Sequence, residues 1–389
     1  MAKVLVLGGG IGGTEAAIAL RKEGFEVSLV SDKPYLYIYP ISIWIPTGEA
    51  KFEDVIIPLD KFARRWGVNL IIDRVEKIDA QNKKVHLKSG KVLEDFDYLV
   101  VALGQTKRKE KGLENTLSIC GSPEEALKIR DRLVELIAKG EGKIAFGFGG
   151  NPKDKTAVRG RPVFEVLFNV DYHLSRLGIR DRFELTFFAP MPKPGERLGE
   201  KALKMLDQMF QKYGIKKITG KKIKEFKENG VLFEDDTFLE SDLIIYTPAG
   251  WGNPVFADSG FPLNEAGFIK IEETCQVVGY EWAYAIGDSA AIEGPPWTAK
   301  QGHLAEVMGH ITAHNIAVKE GKKSGELKSY KEHINILCLM DMGWRGGGFA
   351  YRSDKRAMLI PIPVLGHIMK KAWGVYYKLY KLGKIPKII

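Results

Sequence analysis

The chain repeats one pattern of apolar and polar positions. Near the N-terminus, KVLVLGGGIGGTEAAIALRKEGFEVSLVSD starts with an apolar run, Val4 to Leu7, and passes through closely spaced glycines. A helix-period segment, Thr14 to Lys22, follows, then a second strand-like run, Glu26 to Val30. The period switches from two to 3.6 within one turn, which predicts strand, helix, strand. From Val68 to Gly104 apolar and polar residues alternate through short predicted strands with a turn at Ser89-Gly90. The block closes on an apolar strand ending Ala102-Leu103-Gly104. Ile215 to Gly250 does the same, with a turn at Asn229-Gly230 and a close on Thr247-Pro248-Ala249-Gly250. Each block follows a glycine-ended strand and a helix, so the chain carries two copies of one nucleotide-binding topology, starting at Lys3 and Lys143.

In the first copy Gly8, Gly10 and Gly13 stand at GxGxxG spacing, with Gly12 between them. Gly8 permits the tight turn, Gly10 lets the backbone approach a pyrophosphate, and Gly13 lets the helix pack on the strand. The amides at the helix start face the phosphates. The ribose-binding acid of such a site ends the second strand, where Ser31-Asp32 stands, so Asp32 is the candidate.

The second copy keeps the strand Ile144 to Phe146 and the glycines Gly147, Gly149 and Gly150. Its helix does not follow. Asn151 to Lys155 and Arg159-Gly160-Arg161-Pro162 intervene before an apolar helix predicted from Val163 to Leu177. A pyrophosphate site needs the free amides of a helix start directly after the glycines. The strand Phe183 to Pro190 also lacks a terminal acid, ending Ala189-Pro190. A nicotinamide dinucleotide is therefore not the expected donor. The counter-reading replaces the lost helix start with Lys153, Lys155, Arg159 and Arg161 as phosphate ligands.

Composition narrows the class. The chain has 389 residues, 45% of them hydrophobic, which supports two or three packed domains. Three cysteines are too few for a disulfide framework. The first strand begins almost at Met1, which leaves no signal-peptide pattern, and no apolar run reaches 18 residues. An intracellular location is expected. The net charge of +9 favours anionic ligands, nucleic acid or a lipid surface. The lysines are dispersed except at the C-terminus, so nucleic acid is set aside.

There, VLGHIMKKAWGVYYKLYKL (364 to 382) places Leu365, Ile368, Ala372, Val375, Tyr376 and Leu379 on one predicted helical face. Lys370, Lys371, Lys378 and Lys381 fall opposite, with Trp373 and Tyr377 at the flanks. That pattern predicts a helix lying in a membrane surface. The preceding MGWRGGGFAY is expected to be a glycine-rich loop over a cofactor, with Trp344 and Phe349 shaping a pocket.

The two copies, followed by YAIGDSAA with its Gly287-Asp288, resemble the FAD-dependent pyridine nucleotide-disulfide oxidoreductase superfamily over about residues 3 to 325. The resemblance implies FAD on the first copy, with Gly8, Gly10, Gly12, Gly13, Ser31, Asp32, Ala102, Gly104, Gly287 and Asp288 around it. It also implies an α/β fold of two tandem Rossmann-like domains. These are a discontinuous FAD domain (1–110 and 256–325) and a second domain (111–255), before a C-terminal α+β membrane-associated region (326–389).

RPVFEV (161 to 166), SDKPYLYIYP (31 to 40) and KQGHLAEVMGHITAHNI (300 to 316) are similar to segments of the sulfide:quinone oxidoreductase and flavocytochrome c sulfide dehydrogenase branch. That branch implies Lys300 beside the flavin pyrimidine, where a cation stabilises the reduced anion. It also implies catalytic roles for Cys338, Cys120 and Glu165. Cys338 falls where a redox cysteine is expected; its partner should lie near Val158 to Arg161, where there is none. Cys120 resembles a third cysteine of the branch and precedes a helix start that lowers a thiol pKa. Cys275 reads as core.

The expected activity is electron transfer from a small sulfur donor through FAD to a membrane quinone, on a peripheral protein at the cytoplasmic side. A type II NADH:quinone oxidoreductase and an electron-transfer subunit serving a protein partner are the alternatives, and a homo-oligomer is left open.

Overall fold

In the computed structural model, which describes residues 1–388, both copies form parallel sheets. The first runs in the order Ala283–Ala285, Tyr98–Val101, Lys3–Leu7, Glu26–Ser31, Asn69–Ile72. The second runs Leu243–Thr247, Gly142–Phe148, Phe183–Ala189, Lys216–Thr219. The two match strand for strand, except that the first gains an edge strand from far along the chain. Strands buried on both faces need near-continuous apolar runs, as in Val4 to Leu7 and Leu243 to Tyr246, all buried.

The alternating blocks form the expected three-stranded antiparallel sheets. These are Val75–Asp79 with Lys84–Leu87 and Val92–Leu93, and Ile223–Lys227 with Gly230–Phe233 and Phe238–Glu240. The first helix, Ile11–Lys22, starts three residues earlier than its pattern predicts, because Gly10 is already its cap. It crosses helix Gly302–Lys319 closely: a Cβ on Gly309 would lie 2.9 Å from the Ala16 nitrogen.

The C-terminal region pairs Ile336–Asp341, Gly347–Arg352 and Ala357–Ile362 as an antiparallel sheet, followed by helix Leu365–Lys381. Two expectations change here. The glycine-rich segment from Gly347 is a strand rather than a loop. Its glycines serve close packing: a Cβ on Gly347 would lie 2.1 Å from the Met340 carbonyl oxygen, and one on Gly366 would lie 2.9 Å from the Gly347 nitrogen.

The second change concerns the C-terminal helix, whose lysines are not all outward. Lys370 is 2% exposed and Lys381 fully buried, whereas Leu365, Ile368 and Val375 are 55%, 45% and 60% exposed. The helix therefore turns two ammonium groups into the protein and its aliphatic residues outward. No helix among the described residues is long and apolar enough to cross a membrane.

Candidate functional site

The turn after Lys3–Leu7 is a cradle that only glycines permit. Gly8 has φ +111°, and a Cβ there would lie 2.2 Å from the Ala102 carbonyl oxygen. One on Gly13 would lie 1.8 Å from the Gly8 oxygen, which fixes the helix against the turn. Gly12 packs on Ala305 and Ile286. Above Gly10 nothing lies within 4 Å, and the helix start carries neither a side-chain cap nor an acid in its first turn. Open space over uncapped amides suits a pyrophosphate, so these residues fit a dinucleotide.

The other predicted cradle residues border the same turn. Ser31 is buried at the end of its strand, its hydroxyl donating to the Lys33 carbonyl at 2.8 Å, and Asp32 stands exposed beside it. Gly104 turns left-handed at φ +71°, its N–H donating to the Ser289 hydroxyl at 2.9 Å. Gly287 is also left-handed, at φ +59°, and packs so tightly on Ala305 that a Cβ would lie 2.8 Å from that methyl. Asp288, next to it, pairs with Arg159.

Lys300 is buried, with its ammonium over the Phe268 ring at 3.9 Å and donating to the Ala290 carbonyl. Burial pulls its pKa down to about 7, against the attraction of Asp154 and with the repulsion of Arg159. It is not the solvated lysine that a helix start ordinarily presents.

In the second copy, twelve residues, 149 to 160, separate strand Gly142–Phe148 from helix Arg161–Arg176. The helix starts two residues before the expected Val163, with Arg161 and Pro162 in its first turn. The glycines here make room for the protein's own groups. A Cβ on Gly147 would lie 2.5 Å from the Phe188 ring, one on Gly149 2.4 Å from the Tyr246 hydroxyl, and one on Gly160 2.6 Å from Phe148. Three of the four candidate phosphate cations have partners: Lys153 holds Glu265 at 2.5 Å, Arg159 holds Asp288, and Arg161 contacts Cys338. This loop does not fit a pyrophosphate in the manner of the first.

Cys338 is buried on strand Ile336–Asp341, and the Arg161 guanidinium donates to its sulfur at 3.2 Å. A guanidinium thus occupies the stretch where the sequence lacks a second cysteine. Burial pushes the Cys338 thiol up and Arg161 opposes this, leaving it above its ordinary value. Arg161 also lies 3.8 Å from Glu165, whose other oxygen accepts from Lys370 and, at 2.9 Å, from the Asp341 amide.

Cys120 is half-buried ahead of helix Pro123–Lys139, near Thr247, Arg159 and Arg161. Burial raises its pKa, so the lowering expected from the helix start does not prevail. The charge of Arg161 lowers both thiols, although at Cys120 Arg159 acts more strongly. Cys275 is fully buried core, its thiol pushed up to about 12 by burial.

Three features escaped the sequence pattern. One is the Arg161 contact with Cys338; another is the pair of lysines inside the C-terminal helix. The third is a buried cluster in which Asp341 accepts from His367 Nδ1 at 2.7 Å, from Trp44 at 2.8 Å and from Asn169 at 3.0 Å. These residues are far apart in sequence, and no short motif joins them.

The family model for pyridine nucleotide-disulphide oxidoreductases matches residues 2–321. The sulfide-quinone reductase of Aquifex aeolicus is 29% identical, over 97% of this chain and 90% of its own length. A type II NADH:quinone oxidoreductase of Staphylococcus epidermidis is 26% identical, over 90% of both chains. Among solved structures, the sulfide:quinone oxidoreductase of Aquifex aeolicus superposes with a TM-score of 0.86 and 25% identity, covering 98% of this chain and 92% of that one.

Proposed function

The chain belongs to the pyridine nucleotide-disulphide oxidoreductase family, and on that premise we propose that it is an FAD-dependent oxidoreductase passing electrons from a small sulfur donor to a quinone. The supporting observation is the near full-length likeness, in sequence and fold, to sulfide-quinone reductase. The second-copy loop supports the same choice over NADH, since its glycines are filled by Phe188, Tyr246 and Phe148.

In this reading residues 1–110 and 256–325 hold the flavin and residues 111–255 form the second Rossmann-like unit. Gly8, Gly10, Gly12 and Gly13 bind the pyrophosphate by main-chain amides. Ser31 and Asp32 lie toward the adenosine ribose, and Asp288 binds the ribityl chain. Ala102 and Gly104 close the turn above Gly8, and Gly287 shapes the approach to Asp288. FAD, when bound by these residues, would supply two-electron redox chemistry. Lys300 places a cation at the edge where negative charge gathers. Cys338, as a thiolate, would take up sulfide sulfur as a persulfide, the two electrons and the proton released on forming the S–S bond passing to bound FAD. Arg161 stabilises that thiolate, Glu165 holds Arg161 and Lys370 in place, and Cys120 is assigned a supporting role.

Anaerobic mixing with sulfide is expected to bleach the flavin band near ~450 nm, while NADH leaves it unchanged. Rapid bleaching by NADH would instead establish the type II NADH:quinone reading, which the Staphylococcus epidermidis relative favours.

The acceptor side is read from the C-terminal region, 326–389. Met358 and Ile360 of the sheet, with Leu365, Ile368, Met369 and Val375 of the helix, are exposed. Contiguous exposed apolar surface of this kind marks an interaction site. We assign it to the lipid surface on the cytoplasmic side, from which a quinone reaches the flavin. Replacing Ile368 and Val375 with glutamate is expected to release the protein from anionic vesicles in a flotation assay while circular dichroism stays unchanged. Continued flotation would remove this face from the anchoring role.

A further inference from the structure

Resting on the quinone reading above, we infer that Glu49, His367 and Asp341 form a proton relay serving the quinone. His367 is fully buried, yet only one ring nitrogen is bonded: Nδ1 lies 2.7 Å from the Asp341 carboxylate. Nε2 has no hydrogen-bond partner. It faces Glu49 at 3.5 Å, and Glu49 is partly exposed and held by Lys371 at 3.1 Å.

Asp341 is surrounded by donors from three other elements, the Trp44 indole, the Asn169 amide and the Gly343 N–H. Burial pushes its pKa up, but His367 and these bonds hold it below the usual carboxylate value. A carboxylate so fixed orients the imidazole and leaves Nε2 as the end that exchanges a proton.

The remaining charges around the cluster are also placed. Lys370 is taken up by Glu165, and His173 faces Glu49 from helix Arg161–Arg176. Burial lowers the pKa of His173, which disfavours its cationic form. The ring of Trp344 covers His367 with centroids 4.7 Å apart, and Trp44 meets it edge-on at 5.5 Å. Trp344 is itself exposed, between Gly343 and Gly346, both in the left-handed region, and His367 lies in sequence between the outward Leu365 and Ile368. The imidazole thus lies under an aromatic cover at the apolar rim, with a carboxylate beside it.

Chemistry supplies the need. Converting a quinone to a quinol takes two electrons and two protons. One proton travels with the electron pair from the reduced cofactor; the other must come from water, and an apolar docking face excludes water. Glu49 takes up that proton, His367 Nε2 receives it, and the acceptor oxygen is protonated as the electrons arrive. Glu49 then recharges the imidazole from solvent.

The test uses the full-length holoprotein with decylubiquinone and its own donor-reduced flavin, read by stopped flow across pH. His367→Asn should slow reoxidation by quinone roughly 100-fold relative to reduction by the donor in the same variant, the low end of what a positioned proton carrier supplies. Glu49→Gln should slow it less, and small weak acids in the buffer should restore the rate, which a purely structural carboxylate would not show.

If His367→Asn does not fold, the surface variant Glu49→Gln decides alone. Quinone reduction unaltered in that variant, or slowed without rescue by weak acids, overturns the relay while leaving the quinone reading standing. A parent protein that reduces no quinone overturns both.

Discussion

Serine in place of Cys338 is expected to lower sulfide-dependent flavin reduction by on the order of a thousandfold or more, the scale on which removing an attacking nucleophile acts. The hydroxyl preserves shape in the small buried site but cannot supply a thiolate near neutral pH. The Cys338 thiol is raised by burial and lowered by Arg161, with the net position above its ordinary value. Its thiolate fraction therefore grows with pH, and the parent rate should climb from neutral toward alkaline pH. The variant should show neither the rate nor the slope. Stopped-flow bleaching of the flavin measures both, and unaltered kinetics would retire Cys338 as the nucleophile. In the proposed reaction, with Arg161 where a second cysteine would complete a pair, the sulfur bound to Cys338 would leave by transfer to an external thiol or a second donor molecule.

The second large effect concerns stability. Lys381→Met is expected to destabilise the protein by about 3 kcal/mol or more, because it leaves part of a buried charge unpaired. Glu15 sits fully buried on the first helix and accepts from Lys381, from Lys387 at 2.8 Å, from the Tyr380 hydroxyl at 2.7 Å and from His310 at 2.7 Å. Burial raises the Glu15 pKa, but Lys381, His310 and Lys387 more than reverse this and hold it well below the ordinary 4.5. A carboxylate depressed on folding contributes stability that is fully present above its unfolded value. That stability is lost as pH falls below about 4.5 toward the folded value. Urea titrations at pH 7 and pH 4 should show the parent beginning to lose this increment on acidification and Lys381→Met losing less. Equal stability of the two proteins at pH 7 would show that Lys387 and His310 suffice.

The repeated topology was legible because strand and helix periods are local properties. Gly8, Gly10 and Gly13 could be given roles in advance, since each follows from a steric demand at one turn. The glycines of the second copy looked alike in sequence, yet Gly147 and Gly149 answer to Phe188 and Tyr246, residues forty-one and ninety-seven positions away. Spacing alone does not say what will press on a missing side chain.

The C-terminal helix is the clearest case. Its wheel of lysines against aliphatics is legible as two faces with the aliphatic one turned outward; the inward turn of Lys370 and Lys381 is not. Hydrophobicity favours burying the aliphatic face, but Glu165 and Glu15 had already committed two carboxylates to the interior. An unpaired buried charge costs more than the exposure of a few aliphatic side chains. Lys370 and Lys381, eleven residues apart on one helix, satisfy both. Nothing within the helix's own sequence records where those acids lie. The Asp341–His367 pair was hidden for the same reason, being assembled from a strand and a helix with no shared motif.

The order in which the chain leaves the ribosome gives the first sheet a long wait. Its edge strand Ala283–Ala285 is made only after the whole second sheet, residues 142 to 247, has been synthesised. The later sheet can therefore close first, as an unbroken stretch. The first helix keeps Glu15 in need of a cation until residues 380 to 387 emerge. Until then that helix has reason to remain hydrated and loosely docked, so the cofactor cradle at its start reaches final form only after those residues are made. A nascent chain arrested before Lys381 would expose an acid-bearing helix to chaperones, and the emergence of those few residues commits the flavin unit and its outward aliphatic helix together.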